Sequence, residues 1–414
     1  MKLFEYQQQT ANKAIKYFDT HTNSKFNIFF EMGLGKTITA LTILNYLIQN
    51  KNCTKILVIC PKSLIGMWEY EVSKYLKHYV LINNMDYKLN NFTMIYITNY
   101  EKFLSIRSEI NVDVCIFDEV HKIKNCNSKI HKLINKYLKS IYTMCLTGTP
   151  ITNNLMDLFG ILTCIGRPIF NDMGPMQYRY KYIINGGQSS KNQLISSISD
   201  FTVFAKLTDH IDMPEYEDVI IPVKLTKVQR NNMNNIYSLP IKALDRIIAC
   251  QRITSGIVPN SVFGNKVLIC HELIKSIIED NNKVIIFTKY DSEFDYFINY
   301  YNDICTGING KTKDRDTVVY NFQNDSNIKI FIGNIQTAGI GTTLTAATHC
   351  IFYSHTYNWA DYEQARARIY RIGQHKPCIY YHLLVDESID VMIYKNLKNK
   401  TDLISDFKKT YGGI

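Results

Sequence analysis

Several things are scarce in this 414-residue chain: nine prolines, two tryptophans and ten arginines. No uncharged apolar run reaches the roughly 18 residues that a membrane-spanning helix needs, so no such helix is expected. Met1 to Tyr6 carries Lys2 and Glu5 and no apolar core, so no secretory signal is expected there. The 11 cysteines form no CxxC pair, and Cys60, Cys115, Cys145 and Cys350 stand in apolar runs. That spacing excludes an obvious disulfide frame or structural zinc site and fits a reduced, intracellular protein with buried thiols. Acidic residues are the minority, 37 against 47 Lys and Arg, for a net charge of +10. The excess points weakly to a polyanionic partner. With 46% hydrophobic and 20% charged residues, the chain is too apolar to be disordered.

The first half alternates short apolar runs with amphipathic stretches. Strands are expected at 26–30, 55–60, 93–97, 113–117 and 141–146, with helices at about 37–49, 64–77, 100–107 and 128–138. After a less regular stretch from about Cys164 to Val258, alternation resumes with strands at 283–288, 304–306, 328–332, 348–353 and 378–385. Strands that alternate with helices of this length predict parallel sheets with helices on both faces. The fold expected is α/β, two lobes joined by a mainly helical connector. The boundaries are a first lobe over 1–165, a connector over 166–260 and a second lobe over 261–414.

Three segments carry chemistry. Glu31-Met32-Gly33-Leu34-Gly35-Lys36-Thr37 follows an apolar strand and opens a helix, the context a phosphate loop needs. Its glycines let backbone N–H groups approach phosphates, and the helix start adds positive partial charge. Lys36 would reach the β- and γ-phosphates, and Thr37 would ligate Mg²⁺. Val112 to His121 delivers two adjacent carboxylates at the end of an apolar strand. Asp118 would hold the Mg²⁺ shell, and Glu119 would orient or deprotonate the attacking water. His121 on its own reads as a turn or core histidine. Third, Gln364 to Gln374 holds Arg366, Arg368 and Arg371. If helical, Arg368 and Arg371 stand i, i+3 on one face, suited to charge developing on a γ-phosphate.

These motifs, in this order, resemble the Swi/Snf-type ATPases of helicase superfamily II, nearly end to end. Glu31 to Thr37 is similar to the EMGLGKT loop. Pro61 to Leu64 with Trp68 and Glu71, Asp118 to Asn125, Leu146 to Leu155, Gln251 to Gly256, Thr337 to Ala347 and Gln364 to Gln374 resemble the later motifs. The resemblance implies two RecA-like lobes and ATP with Mg²⁺ as cofactors. It makes Gln7 an adenine reader and adds Met32, Gly33, Leu34, Gly35, Gly339 and Gly341 to the nucleotide-binding residues. It gives Thr147, Gly148, Thr149 and Gln364 a coupling role, and Arg368 and Arg371 the arginine-finger positions. It implies translocation on double-stranded DNA, with Lys62, Thr98, Thr343 and Tyr357 as candidate DNA contacts. A monomer that takes its target from a partner protein is expected. The chain departs from the family pattern at Phe30 (usually acidic), Thr343 (often Asn), Asp157 (usually Glu) and Tyr357-Asn358-Trp359 (usually W-N-P). The usual R-R-x-K segment is reduced to Phe204-Ala205-Lys206. Two other functions share this core: a strand-separating helicase on RNA or single strands, and a DNA-binding module that has lost hydrolysis. The intact Lys36, Asp118, Glu119, Arg368 and Arg371 speak against the second.

Overall fold

The computed structural model describes residues 3–82, 92–151, 155–164, 173–258, 261–262, 264–337 and 342–399. These residues form two compact units that divide between Ile211 and Asp212. Gly339 and Gly341 lie outside the described residues. The expected domain boundaries also fall in or beside residues outside the described set.

The first unit is built on a seven-stranded sheet. In chain order its strands are β1 (Ser24–Phe30), β2 (Lys55–Cys60), β3 (Tyr79–Leu81), β4 (Thr93–Asn99), β5 (Ile110–Asp118), β6 (Leu138–Leu146) and β7 (Thr202–Ala205). Their order in the sheet is β3-β4-β2-β5-β6-β1-β7, and every pairing is parallel. All seven residues of β1 are buried, as are the last five of β5. Continuous burial is what an apolar strand covered on both faces requires. Because all strands run the same way, the residues after β1, β2, β4, β5, β6 and β7 emerge along one edge, the usual ligand edge of an open α/β sheet.

The second unit begins with β8 (Tyr216–Val223). A short antiparallel pair follows, β9 (Ile257–Val258) and β10 (Ser261–Val262). Then come β11 (Val284–Thr288), β12 (Cys305–Ile308), β13 (Ile330–Asn334), β14 (His349–Phe352) and β15 (Cys378–Val385). The order of the six-stranded sheet is β12-β13-β11-β14-β15-β8, again parallel throughout. Its core gathers Val223, Ile274, Phe297, Ile286, Ile332, Ile351 and Leu383.

The stretch 166–260, expected to be a mainly helical connector, supplies a strand to each sheet. β7 extends the first sheet beside β1, and β8 extends the second beside β15. The helices Pro175–Arg179 and Gln188–Ile198 belong to the first unit, and Lys227–Ser238 and Ala243–Ser255 to the second. Among the described residues, no helix is long and apolar enough to cross a membrane.

Candidate nucleotide site and its coupling network

The loop after β1 turns into the helix Lys36–Lys51 through two left-handed residues, Gly33 (φ 87°) and Gly35 (φ 73°). A side chain at either would be strained. A Cβ on Gly35 would also come within 2.5 Å of Gln7 Nε2. Gln7 is clamped against the loop: its Nε2 donates to Leu34 O (2.9 Å), and its Oε1 accepts from Phe4 N (3.0 Å). The Tyr6 hydroxyl donates to the same Leu34 carbonyl at 3.0 Å. Phe30, where the resembling family carries an acid, is fully buried and meets the Tyr6 ring edge-on. That position therefore serves the core.

The segment after β7 packs behind the loop. Glu31 N donates to Ala205 O, and the Glu31 carboxylate accepts from Leu207 N, both at 2.9 Å. The Tyr6 ring stacks on His210 at 4.5 Å. The Lys36 ammonium is half-buried and donates to Phe30 O at 3.2 Å.

Asp118, at the end of β5, is buried and held from three directions. The Trp68 indole donates to Oδ2 (2.9 Å), Glu119 N donates to Oδ1 (3.0 Å), and the Tyr100 hydroxyl donates to the Asp118 carbonyl (2.7 Å). Burial and the neighbouring Glu119 charge push the Asp118 carboxyl above the usual carboxylate range. The Trp68 bond and the Lys36 charge oppose the shift. Asp118 thus feels the loop lysine, and a cation bound to it would offset the repulsion from Glu119. The Thr37 hydroxyl at the helix start and the Asp118 carboxylate are oxygen donors of the kind Mg²⁺ would take.

Glu119 adopts a left-handed conformation (φ 52°) that turns the chain sharply after β5. Its carboxylate lies 3.2 Å from His121 Nδ1 and accepts from the Thr147 hydroxyl at 3.4 Å. His121 Nδ1 also meets Thr147 Oγ1 (3.0 Å) and Thr149 Oγ1 (3.2 Å), while Thr149 N donates to Thr147 Oγ1 (3.1 Å). Gly148 sits against the phosphate loop: a Cβ there would lie 3.1 Å from Phe30 O and 3.3 Å from Met32 Cγ. So the segment after β6 touches the carboxylate that would act on water and the loop that would hold phosphate. His121, read from sequence as a turn or core residue, is the hub of this network. Its place three residues beyond Asp118 was the one available signal.

In the second unit, the helix Trp359–Arg366 ends before the two candidate finger arginines. The expected i, i+3 helical face is therefore replaced by a turn. Pairing survives by another route, because Arg368 Nη1 (2.8 Å) and Arg371 Nη1 (3.2 Å) both donate to Thr342 O. Arg371 Nε is buried with no hydrogen-bond partner among the described residues. A buried, unpaired guanidinium N–H is costly and suits an anion. Gln364 is buried under the same turn, and its carbonyl accepts from Arg368 Nε at 2.7 Å.

The four candidate DNA contacts differ. Lys62 is exposed in the turn after β2, and Thr343 is half-buried beside Thr342. Thr98 is buried within β4, its hydroxyl without a partner among the described residues. Tyr357 is 37% exposed, donates to Gln251 Oε1 (2.6 Å) and lies under the Lys289 ammonium, 3.3 Å from its ring centroid. Lys289, missed in the sequence, makes this a basic and aromatic surface.

The family model described as the SNF2-related domain matches residues 12–279, and the one described as the helicase conserved C-terminal domain matches 265–373. An uncharacterized ATP-dependent helicase of Mycoplasma pneumoniae is 26% identical over 97% of this chain and 42% of its own length. The chromatin remodeling factor mit1 of Schizosaccharomyces pombe is 23% identical over 93% of this chain and 31% of its own. The Sulfolobus solfataricus SWI2/SNF2 ATPase core in complex with dsDNA is 25% identical, with a TM-score of 0.49 over 100% of this chain and 94% of that one. This chain spans about half or less of the length of the curated relatives it matches. With the SNF2-related model covering well over half of it, the chain belongs to the SNF2-related family.

Proposed function

We propose that this protein hydrolyses ATP and uses the hydrolysis to translocate on double-stranded DNA, remodelling DNA or its protein complexes. The observation that carries the reading is the hydrogen-bonded line from Gly148 and Thr147 to Glu119, set beside the phosphate loop. It joins a hydrolytic carboxylate to a segment that can report on the phosphates. The duplex is supported by relatives named as a chromatin remodeling factor and as the DNA repair and recombination protein RDH54.

Backbone N–H groups of the loop and the start of Lys36–Lys51 cradle the phosphates, and Lys36 balances their charge. Thr37 and Asp118 would hold Mg²⁺, whose charge would further neutralise the phosphate oxygens. Glu119 orients the attacking water and accepts its proton. Arg368 and Arg371 stabilise negative charge at the γ-phosphate. A change in phosphate occupancy shifts Gly148, and through Thr147 and His121 it shifts Glu119. DNA affinity rests on phosphate contacts with little sequence readout.

The test is the ATPase rate without nucleic acid and with duplex DNA, single-stranded DNA or RNA. Expected is stimulation by duplex that vanishes in Lys36→Ala, with little strand displacement. Stimulation by RNA alone overturns the duplex assignment, and no hydrolysis in any condition overturns the enzyme.

A further inference from the structure

The candidate finger arginines sit in a turn, not on a helix, so something other than helical geometry must fix their place. The turn has three anchors. Arg368 and Arg371 hold Thr342 O, while Arg368 O accepts from Leu344 N at 3.0 Å. At the far end, Gln374 Nε2 donates to Thr345 O (3.1 Å) and Ala347 O (3.0 Å). At the near end stands Arg366, the residue the proposed chemistry leaves unused.

Arg366 is a built site in itself. Its guanidinium is packed among the rings of Tyr216 (5.1 Å), Tyr362 (5.5 Å) and Tyr380 (4.3 Å). Its Nη1 meets Asp218 Oδ1 at 2.5 Å and Tyr362 Oη at 2.9 Å. The Tyr380 hydroxyl donates to Arg366 O at 2.8 Å, fixing the backbone where the helix gives way to the turn. Asp218 is held in turn by His382 Nε2 at 3.0 Å, and His382 Nδ1 meets His355 Nε2 at 3.0 Å. With Asp218 ionised and both histidines neutral, this relay has one consistent arrangement. His382 Nε2 donates to the carboxylate, and His355 Nε2 donates to His382 Nδ1.

Asp218 stands on β8, paired in register with Tyr380 of β15. β8 is the edge strand of the second sheet and begins five residues after Ile211, where the chain leaves the first unit. Tyr216 on the same strand packs edge-on against Tyr370 of the turn at 5.0 Å. The first strand of the second unit therefore grips the arginine turn twice, through a partly buried ion pair (Arg366 and Asp218 side chains 13% and 24% exposed) and through a ring contact. With three tyrosine rings around the guanidinium and His382 on the carboxylate, this partly buried pair tolerates few arrangements, because moving either partner breaks the bonds that hold the other.

We propose that Asp218, acting through Arg366, is a positioning residue that holds the turn carrying Arg368 and Arg371, making the entering strand β8 part of the hydrolytic apparatus. The proposal rests on the ATPase reading above. Neither Asp218 nor Arg366 touches the nucleotide in it. A displaced turn weakens stabilisation of the γ-phosphate charge in the transition state more than ground-state ATP binding.

Three full-length variants test this: Asp218→Asn, which keeps the volume and removes the charge; Asp218→Glu, which keeps the charge; and Lys36→Ala as the inactive reference. In Asp218→Asn, kcat with duplex falls by about tenfold or more while KM for ATP changes less than about twofold. Asp218→Glu recovers a substantial part of kcat. Limited trypsin digestion supplies a readout that needs no hydrolysis: cleavage after Arg368 or Arg371 rises in Asp218→Asn and returns toward wild type in Asp218→Glu. An unchanged kcat and digestion pattern in a folded Asp218→Asn protein, or a kcat that falls only with the folded fraction measured by circular dichroism, overturns the proposal. If the wild type hydrolyses no ATP, the functional reading fails, and the trypsin comparison still decides whether Asp218 holds the turn.

Discussion

Asp118 shows how a single carboxylate is prepared by residues far away in sequence. Trp68 is one of two tryptophans in the chain, and it is fully buried with its indole N–H on Asp118 Oδ2. An indole in that place orients one oxygen and favours the ionised form. Replacing it by Trp68→Phe leaves Oδ2 desolvated and short of a donor, which costs about 1–3 kcal/mol. The expected outcome is a lower melting temperature together with a weaker dependence of ATP binding on Mg²⁺, read by calorimetric titration with and without the metal. A variant that melts earlier but binds Mg·ATP as tightly as wild type would reduce Trp68 to a packing residue. Both Trp68 and Asp118 could be picked out in the sequence, but their bond could not. It spans 50 residues and depends on β2 and β5 being neighbours in the sheet.

At the scale of elements, the regular alternation was legible and the edges were not. β1 and β2 are short, apolar and bounded by motif residues, so their ends could be read to within a residue or two, whereas β5 starts three residues before the expected strand. β7 is four residues long, and β8 mixes Glu217, Asp218 and Pro222 into its apolar residues. Each becomes a strand by pairing with a partner more than 150 residues away, which no local pattern reveals. The arginine helix was expected to run on through Arg371 and instead stops at Arg366. There Tyr380 and Asp218, both remote, hold the backbone and side chain that end it.

The β8–β15 edge carries a pH consequence. His355 and His382 are buried, and burial pushes both below the ordinary histidine value, His355 the further of the two. The neighbouring histidine and Lys266 add to the effect on His355. On His382, Asp218 opposes it and Arg366 and Lys398 reinforce it. A histidine with a lowered folded-state pKa takes up protons preferentially in the unfolded chain. Stability is therefore intact above the unfolded value of about 6.5 and is lost as pH falls through and below it. Asp218 is held below the usual carboxylate range by His382 and Arg366 against the opposing effect of burial, so its own contribution is lost only in a more acidic window. Thermal melts should show a fall in melting temperature between about pH 7.5 and 5.5. The fall should be smaller in His355→Phe, which keeps a ring among Phe352, Tyr362 and Tyr394. An equal slope in the two proteins would move the effect to other histidines.

Across the whole molecule the net charge of +10 is unevenly spread along the chain. From Val120 to Met156 there is no acidic residue, while Lys122, Lys129, Lys132, Lys136 and Lys139 are all exposed. Sequence could supply this charge but not its meaning, since a basic surface serves solubility as readily as binding. The proposed function separates the two by ionic strength. Binding through phosphates releases counterions, so log affinity falls linearly with log salt, by about 10³ or more between roughly 50 and 200 mM if six or more phosphates are neutralised. Phosphate contacts carry little base information, so duplexes of unrelated sequence should give the same affinity and slope. Hydrolysis at saturating duplex should change far less, because the Asp118 and Glu119 carboxylates are buried and salt screens them weakly. Fluorescence anisotropy with labelled duplexes, run beside ATPase assays across the same salt series, makes the comparison. A shallow slope, or one that differs between sequences, would mean that this chain reads bases and that its positive charge is not what holds the DNA.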